Sequence, residues 1–422
     1  MKPLYFARRL RFENGERTST VMRSDTGMPI HATVLFINRY RLQGIKANTI
    51  HKIAGSLALL YRHCHHKKLD LEARLRAGKF LTSAELDQLA DLAQYHVKDL
   101  DEERADGGGV SASKVRSLER MRMRRKKAKE RQLVEVPTRA TRTRHFVSYL
   151  EFLGDYYARQ LPLAASDAFL QEIAKGIKAL EKMVPRYSNW AKLGSRKGMS
   201  EEAMELLVAV VDPDSPANPW KVPFVRLRNF LIVVLYLAAG IRRGEMAGLQ
   251  VGDLGTSRLV ITIYRRADDE NDKRVHQPVA KTADREITVD IALMQRLQDY
   301  LGERRKKKPA RKIPQLWVTD DGTAALSYDS IGKIFNDIRK ACPELPRTLT
   351  THVLRHTWND RFSEVATRMG LKPAEEEKAR ATHQGWSPGS KMPARYTLRT
   401  IEANARKVGL KLQQDLESRI KE

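Results

Sequence analysis

The sequence predicts an α+β protein that is mostly helical, with a helical first half and a mixed α+β second half. Three observations carry this. Apolar residues recur at helical spacing along most of the chain. Strand signals are confined to Leu4–Met22, Arg258–Tyr264 and the stretch around Ile287. The chain has 422 residues, enough for two or three domains.

In the first half, Leu4–Arg11 and Arg17–Met22 flank Asn14-Gly15, a pair suited to a hairpin turn. Pro29–Gln43 reads as a helix through Val34, Leu35, Ile37 and Tyr40, stopped by Gly44. Asn48 or Thr49 caps a second helix through Ile50, Ile53, Leu57, Leu60 and Tyr61. Leu81–Leu100 is a third amphipathic helix. An acidic stretch, Asp99–Asp106, and the break Gly107-Gly108-Gly109 precede a one-signed run with Lys114, Arg116, Arg120, Arg122, Arg124, Arg125, Lys126 and Lys127. Such a run is either a solvated face or a set of phosphate contacts. Thr141–Leu161 and Phe169–Met183 close the half as helices. Trp190–Gly198, with Lys192, Arg196 and Lys197, reads as a basic linker.

In the second half, Ser200 caps a helix that opens with Glu201 and Glu202. Leu227–Ala239 is a buried helix ending at Gly240-Ile241-Arg242-Arg243-Gly244-Glu245. An arginine there keeps its proton and needs a partner, and Glu245 is three residues away. Arg258–Tyr264 is a strand, Arg265–Gln277 a polar excursion, and Lys281–Val289 a turn entering another strand. A helix begins at Met294, and Arg304–Lys312 is a basic loop. In Thr351–Trp358, His352 and Arg355 share a helix face, with His356 close by. A guanidinium beside a titratable imidazole suits a phosphate in a proton transfer, although satisfied core histidines would give the same pattern. The tail Thr400–Glu422 is an amphipathic helix.

Composition restricts the function. Lys and Arg total 77 against 51 acidic residues, a formal charge of +26, which suits a polyanionic partner. No apolar run reaches the roughly 18–20 residues of a membrane span, and no secretory signal core is present, so a membrane is not an expected partner. Two cysteines, Cys64 and Cys342, point to a reducing cytoplasm. His63-Cys64-His65-His66 lacks a second ligand pair at zinc spacing and reads as a basic helix end, so no metal is expected.

The order Gly-Ile-Arg-x-x-Glu at 240–245, Lys281-Thr282 before a strand, His-x-x-Arg-His at 352–356, Gly385-Trp386 and Arg395-Tyr396 resembles the catalytic half of the tyrosine recombinase (phage integrase) family. The resemblance covers Ser200–Tyr396 by motif and the first half by pattern only. It implies a helical core-binding domain and a mixed α+β catalytic domain that clamp DNA between them. It further implies that Arg242 and Arg355 hold the scissile phosphate, Lys281 and His352 handle protons, Trp386 hydrogen-bonds the phosphate, and Tyr396 attacks. No cofactor is implied, because the bond energy is kept in a 3′-phosphotyrosine. Glu245, His356 and His383 are supporting residues. The usual Gly-His is Gly-Trp here and stands one residue farther than usual from the tyrosine, so His383 is a substitute for Trp386. The stretch between Arg242 and Lys281 is long, so Lys273 is a rival to Lys281.

The expected organisation is an N-terminal extension with a β-hairpin over 1–28, a helical DNA-binding domain over 29–190 with a basic insertion at about 99–135, a linker over 191–199, and a catalytic domain over 200–422 ending in an exchange helix. The expected function is site-specific recombination for a phage or mobile element, by a tetramer on double-stranded DNA in the cytoplasm, at the nucleoid. Accessory proteins are left open. The alternatives are a hairpin telomere resolvase, a type IB topoisomerase-like enzyme, and a DNA-binding regulator that cleaves nothing.

Overall fold

The computed structural model describes residues 3–97, 132–187, 198–387, 389–390 and 392–421, with side chains undescribed at 394–404 and 418–421. The basic run with Lys114, Arg116, Arg120, Arg122, Arg124, Arg125, Lys126 and Lys127 lies outside the described residues, as do Lys192, Arg196 and Lys197. The fold is α+β and mostly helical, and it divides into two compact units, Met1–Phe12 with Glu16–Trp190 and Glu13–Gly15 with Ala191–Glu422.

The first unit opens with antiparallel strands β1 (Tyr5–Arg11) and β2 (Arg17–Arg23). Helices α1 (His31–Leu42), α2 (Ala47–His66), α3 (Leu71–Arg76), α4 (Ser83–Leu92), α5 (Val136–Ala158) and α6 (Leu163–Lys182) follow. The apolar stripe of α2, Ile50, Ile53, Leu57 and Leu60, joins Phe146, Tyr149, Leu150 and Leu153 of α5 in one core. The aromatic stripe on α5 is therefore core. Three details depart from expectation. Helix α2 begins at Ala47, so neither Asn48 nor Thr49 caps it; Asn48 Oδ1 instead accepts from Arg9 Nη1 at 2.9 Å. Thr82 caps α4, in a reciprocal capping box with Glu85. Helix α4 ends at Leu92 rather than Leu100, and Tyr95 then bridges to Leu133.

The second unit is built round α8 (Pro223–Ala239), which is buried along nearly its whole length from Phe230 to Ala239. Its neighbours are α7 (Glu201–Val211), capped by Ser200, α10 (Ile291–Lys306) and α12 (Thr351–Arg368). Between α8 and α10 come α9 (Arg243–Gly248) and an antiparallel sheet of β3 (Leu254–Gly255), β4 (Val260–Ile263) and β5 (Arg285–Thr288). Ile261 pairs with Ile287 and Ile263 with Arg285, and the isoleucines face the core. Strand β4 starts late because Leu259 takes a left-handed φ of 53°. Helices α11 (Tyr328–Ala341), α13 (Pro373–Gln384) and α14 (Met392–Lys421) complete the chain. Helices α3, α11 and α13 carry no match in the sequence reading.

The basic loop expected at Arg304–Lys312 is a correction. Arg304, in the last turn of α10, is a buried side chain, and its guanidinium donates to the carbonyls of Leu316 and Gln315 at 3.2 and 2.9 Å. Here a guanidinium satisfies backbone acceptors of the stretch that follows the turn at Lys308–Lys312. Among the described residues, no helix is long and apolar enough to cross a membrane.

Candidate active site

The contact between α8 and α12 positions both candidate arginines. Helix α8 ends on Gly240 at φ 58°, a left-handed C-cap. A Cβ at this glycine would stand 2.5 Å from the Trp358 ring, so only glycine lets α12 approach. Trp358 Nε1 donates to the Ala238 carbonyl at 3.0 Å, and Arg355, itself buried, donates from Nη1 to the Gly240 carbonyl. Arg355 thus arises from the second turn of a helix already pinned to the end of α8. Two residues past Gly240, Arg242 is the first residue before α9 and keeps about a quarter of its side chain exposed.

Glu245 organises the floor of this site. Its carboxylate accepts from the Arg242 backbone N–H at 2.9 Å, Arg242 Nη1 at 3.1 Å, Thr282 Oγ1 at 2.8 Å and Arg285 Nη2 at 2.9 Å. Burial pushes its carboxyl up, but the charge and hydrogen bonds of Arg285, with those of Arg242, outweigh burial and hold it down at about 2. One buried carboxylate therefore serves two guanidiniums, which leaves the floor with a positive surplus. Arg242 also reaches the Gln384 carbonyl at 3.4 Å, tying α9 to the end of α13.

Helix α13 ends on Gly385 at φ 61°, and Trp386 follows. The Arg355 guanidinium carbon lies 5.8 Å from the Trp386 ring centroid, within cation–π range. Trp386 is largely buried. His383 faces elsewhere. Its ring stacks on Trp358 with centroids 4.5 Å apart, and Nε2 lies 3.1 Å from the Ala239 carbonyl. A carbonyl only accepts, so that contact requires the proton on Nε2. Burial lowers the His383 pKa, favouring the neutral ring.

The remaining candidates are placed as follows. His352 is exposed in the first turn of α12, and His356 is half-buried one turn on. Lys281 is exposed at the turn before β5, while Thr282 beside it is buried. Lys273 is also exposed, in an excursion anchored by Arg274, which pairs with Asp272 at 2.7 Å and donates to the Ala247 and Leu326 carbonyls. Tyr396 lies in the second turn of α14; its side chain is outside the described residues. Tyr328, the first residue of α11, carries the Arg243 guanidinium 3.8 Å from its ring centroid. The structure thus brings Arg242, Glu245, Arg355 and Trp386 together through contacts between α8, α9, α12 and the end of α13. Arg285 is the participant the sequence reading did not single out, and Thr282 stood there only as a motif neighbour of Lys281, without a role. An arginine opening a strand gives no sign that it turns inward.

Residues 200–367 match the model of the phage integrase family. The matched residues all lie within the second unit, which holds the site described above. No curated protein sequence matches the chain. Among solved structures, the chain is similar to the Tn1549 transposon integrase in complex with circular intermediate DNA, at 18% identity and a TM-score of 0.41 over 74% of this chain and 94% of that one. It is similar to the XerA recombinase at 18% identity and 0.36, over 63% and 83%. It is similar to the XerH recombinase bound to difH in a pre-cleavage complex at 19% identity and 0.36, over 62% and 68%.

Proposed function

We propose that the chain is a site-specific DNA recombinase that cleaves and rejoins DNA through a 3′-phosphotyrosine, serving a phage or mobile element. The observation that carries this is the convergence of Arg242 and Arg355, set by the Gly240 contact between α8 and α12, beside Trp386 and the Lys281 turn. Two guanidiniums donate to the nonbridging oxygens, whose charge grows in the pentacoordinate transition state. The Tyr396 hydroxyl attacks phosphorus, the bond to the 5′ oxygen breaks, and that oxygen takes a proton from Lys281. His352 receives the tyrosine proton. Rejoining is the reverse, with a 5′-hydroxyl attacking the phosphotyrosine, so no external energy source is needed.

The decisive experiment incubates the full chain with nicked duplex DNA that loses its 5′-hydroxyl strand after cleavage. A peptide containing Tyr396 should remain on the DNA 3′ end. Absence of any covalent adduct on every DNA tested would instead favour a non-cleaving regulator.

The basic residues from Lys114 to Lys127, with Lys192, Arg196 and Lys197, are proposed to contact the DNA backbone, in keeping with the charge of +26. Neutralising several of them should weaken binding to all sequences alike and flatten the salt slope by about 0.9 per lost contact. An unchanged slope would mean that the run is a solvated face.

The last helix supports the tetramer. Val408, Leu410, Leu412 and Leu416 are all exposed on α14, an apolar cost that docking on a neighbouring protomer would remove. Deleting the chain after Arg399 should spare binding to a single site and abolish recombination between paired sites. Normal recombination by the truncated protein would rule out the exchange. The site of action is proposed as the cytoplasm, at the nucleoid.

A further inference from the structure

We infer that Arg285 is a positioning residue that holds the Lys281 turn against the end of α13, so that proton donation and phosphate binding are set by one structural unit. The inference rests on the recombinase reading above and on Lys281 as the proton donor. Three ties flank Lys281. Thr282 Oγ1 donates to Glu245 Oε1 at 2.8 Å, the Ala283 N–H donates to the Gly385 carbonyl at 3.1 Å, and Arg285 Nε donates to the His383 carbonyl at 2.6 Å. Arg285 takes part in two of these: besides donating to His383, it meets both members of the Thr282–Glu245 bond, its Nη1 donating to Thr282 Oγ1 at 3.0 Å and its Nη2 to Glu245 at 2.9 Å. The side chain is 6% exposed, so it is built into the protein rather than offered to DNA.

A separate observation points to the same coupling. A Cβ on Gly385 would stand 2.9 Å from Arg285 Cδ and 3.0 Å from the Ala283 carbonyl oxygen. The missing side chain at Gly385 is thus the space through which Arg285 passes to reach His383. The residue immediately after this glycine is Trp386, and the residue before it accepts from Arg242. Displacing the turn therefore moves Lys281 relative to both phosphate-binding elements. A lysine on a flexible stem is held only as well as the turn that carries it.

The chemistry gives a readout that a loss of fold would not share. When the P–O5′ bond breaks, the departing oxygen needs a proton, since an alkoxide is a poor leaving group (water's pKa of about 15.7 is a guide). A bridging sulfur departs as a thiolate, and a thiol has a pKa of about 8.5. The sulfur-bridged substrate therefore bypasses the donor. Arg285→Lys keeps a cation for Glu245 but lacks the fork that reaches Thr282 and His383 together. Cleavage of ordinary nicked DNA by full-length Arg285→Lys should slow about 10²-fold, the scale of an ångström-sized misplacement. Binding to the same DNA should be unchanged, and the sulfur-bridged substrate should restore the rate to within several-fold of the unmodified protein. Thr282→Val, a milder variant that keeps Arg285, should show a smaller loss with the same rescue.

Lys281→Ala is run alongside. If sulfur rescues it but not Arg285→Lys or Thr282→Val, the coupling is overturned and Arg285 is structural. Normal cleavage of ordinary DNA by Arg285→Lys would overturn it equally. If sulfur fails to rescue Lys281→Ala itself, the donor assignment fails first, and the coupling falls with it.

Discussion

Tyr396→Phe should bind its DNA site as the unmodified chain does and form no covalent adduct on nicked DNA. The substitution deletes a single oxygen and keeps the ring, so packing along α14 is disturbed little. Phenol has a pKa of about 10, and it becomes a competent nucleophile at neutral pH only beside groups that take its proton and stabilise the phosphate's growing charge. The proposed groups are His352, Arg242 and Arg355. No second oxygen on the same ring can replace the lost one, so the loss should be complete rather than graded. Adduct at normal yield would move the nucleophile, with Tyr328 the next tyrosine to test.

The sequence made the helices legible wherever an apolar stripe was strong, as in α2 and α8, because 3.6-residue periodicity is a local property. It hid helices whose apolar stripe is weak or short, such as α13, where acidic and basic side chains dominate Pro373–Gln384. Glu245 was readable beside Arg242 for the same local reason, since three residues bring their side chains together at a helix start. Arg285 was not readable, because two of its partners, Glu245 and His383, stand 40 and 98 positions away in the chain. Arg304 shows the same difficulty in reverse. The residues that follow it, Arg305 and Lys306, are basic and exposed, yet it turns inward to donate to carbonyls. Charge in a run thus says little about which member is solvated.

Glu245→Gln should cost stability on a scale set by its titration. The carboxyl sits at about 2, well below its ordinary value of 4.5, and the side chain is fully buried. At 1.36 kcal/mol per unit, that difference is worth about 3 kcal/mol. A similar figure, about 3–5 kcal/mol, is expected when one partner of a buried ion pair is removed and the other is left uncompensated. Here two guanidiniums, Arg242 and Arg285, are left without their carboxylate. The sign follows from the depressed folded-state value. The stabilisation is fully present above the unfolded carboxyl value and is lost as pH falls toward about 2. The stability gap between the unmodified chain and Glu245→Gln, measured by denaturant unfolding, should therefore stay near about 3 kcal/mol above pH ~5 and narrow to about 1 kcal/mol near pH ~3. Subtracting the variant removes the contribution of every other carboxylate that titrates over the same range. Glutamine keeps the shape and the acceptor oxygen, so the gap reports charge rather than a cavity. A gap that is absent at pH ~7, or that does not change on acidification, would mean that the two arginines find other partners and that Glu245 does not hold the floor of the site.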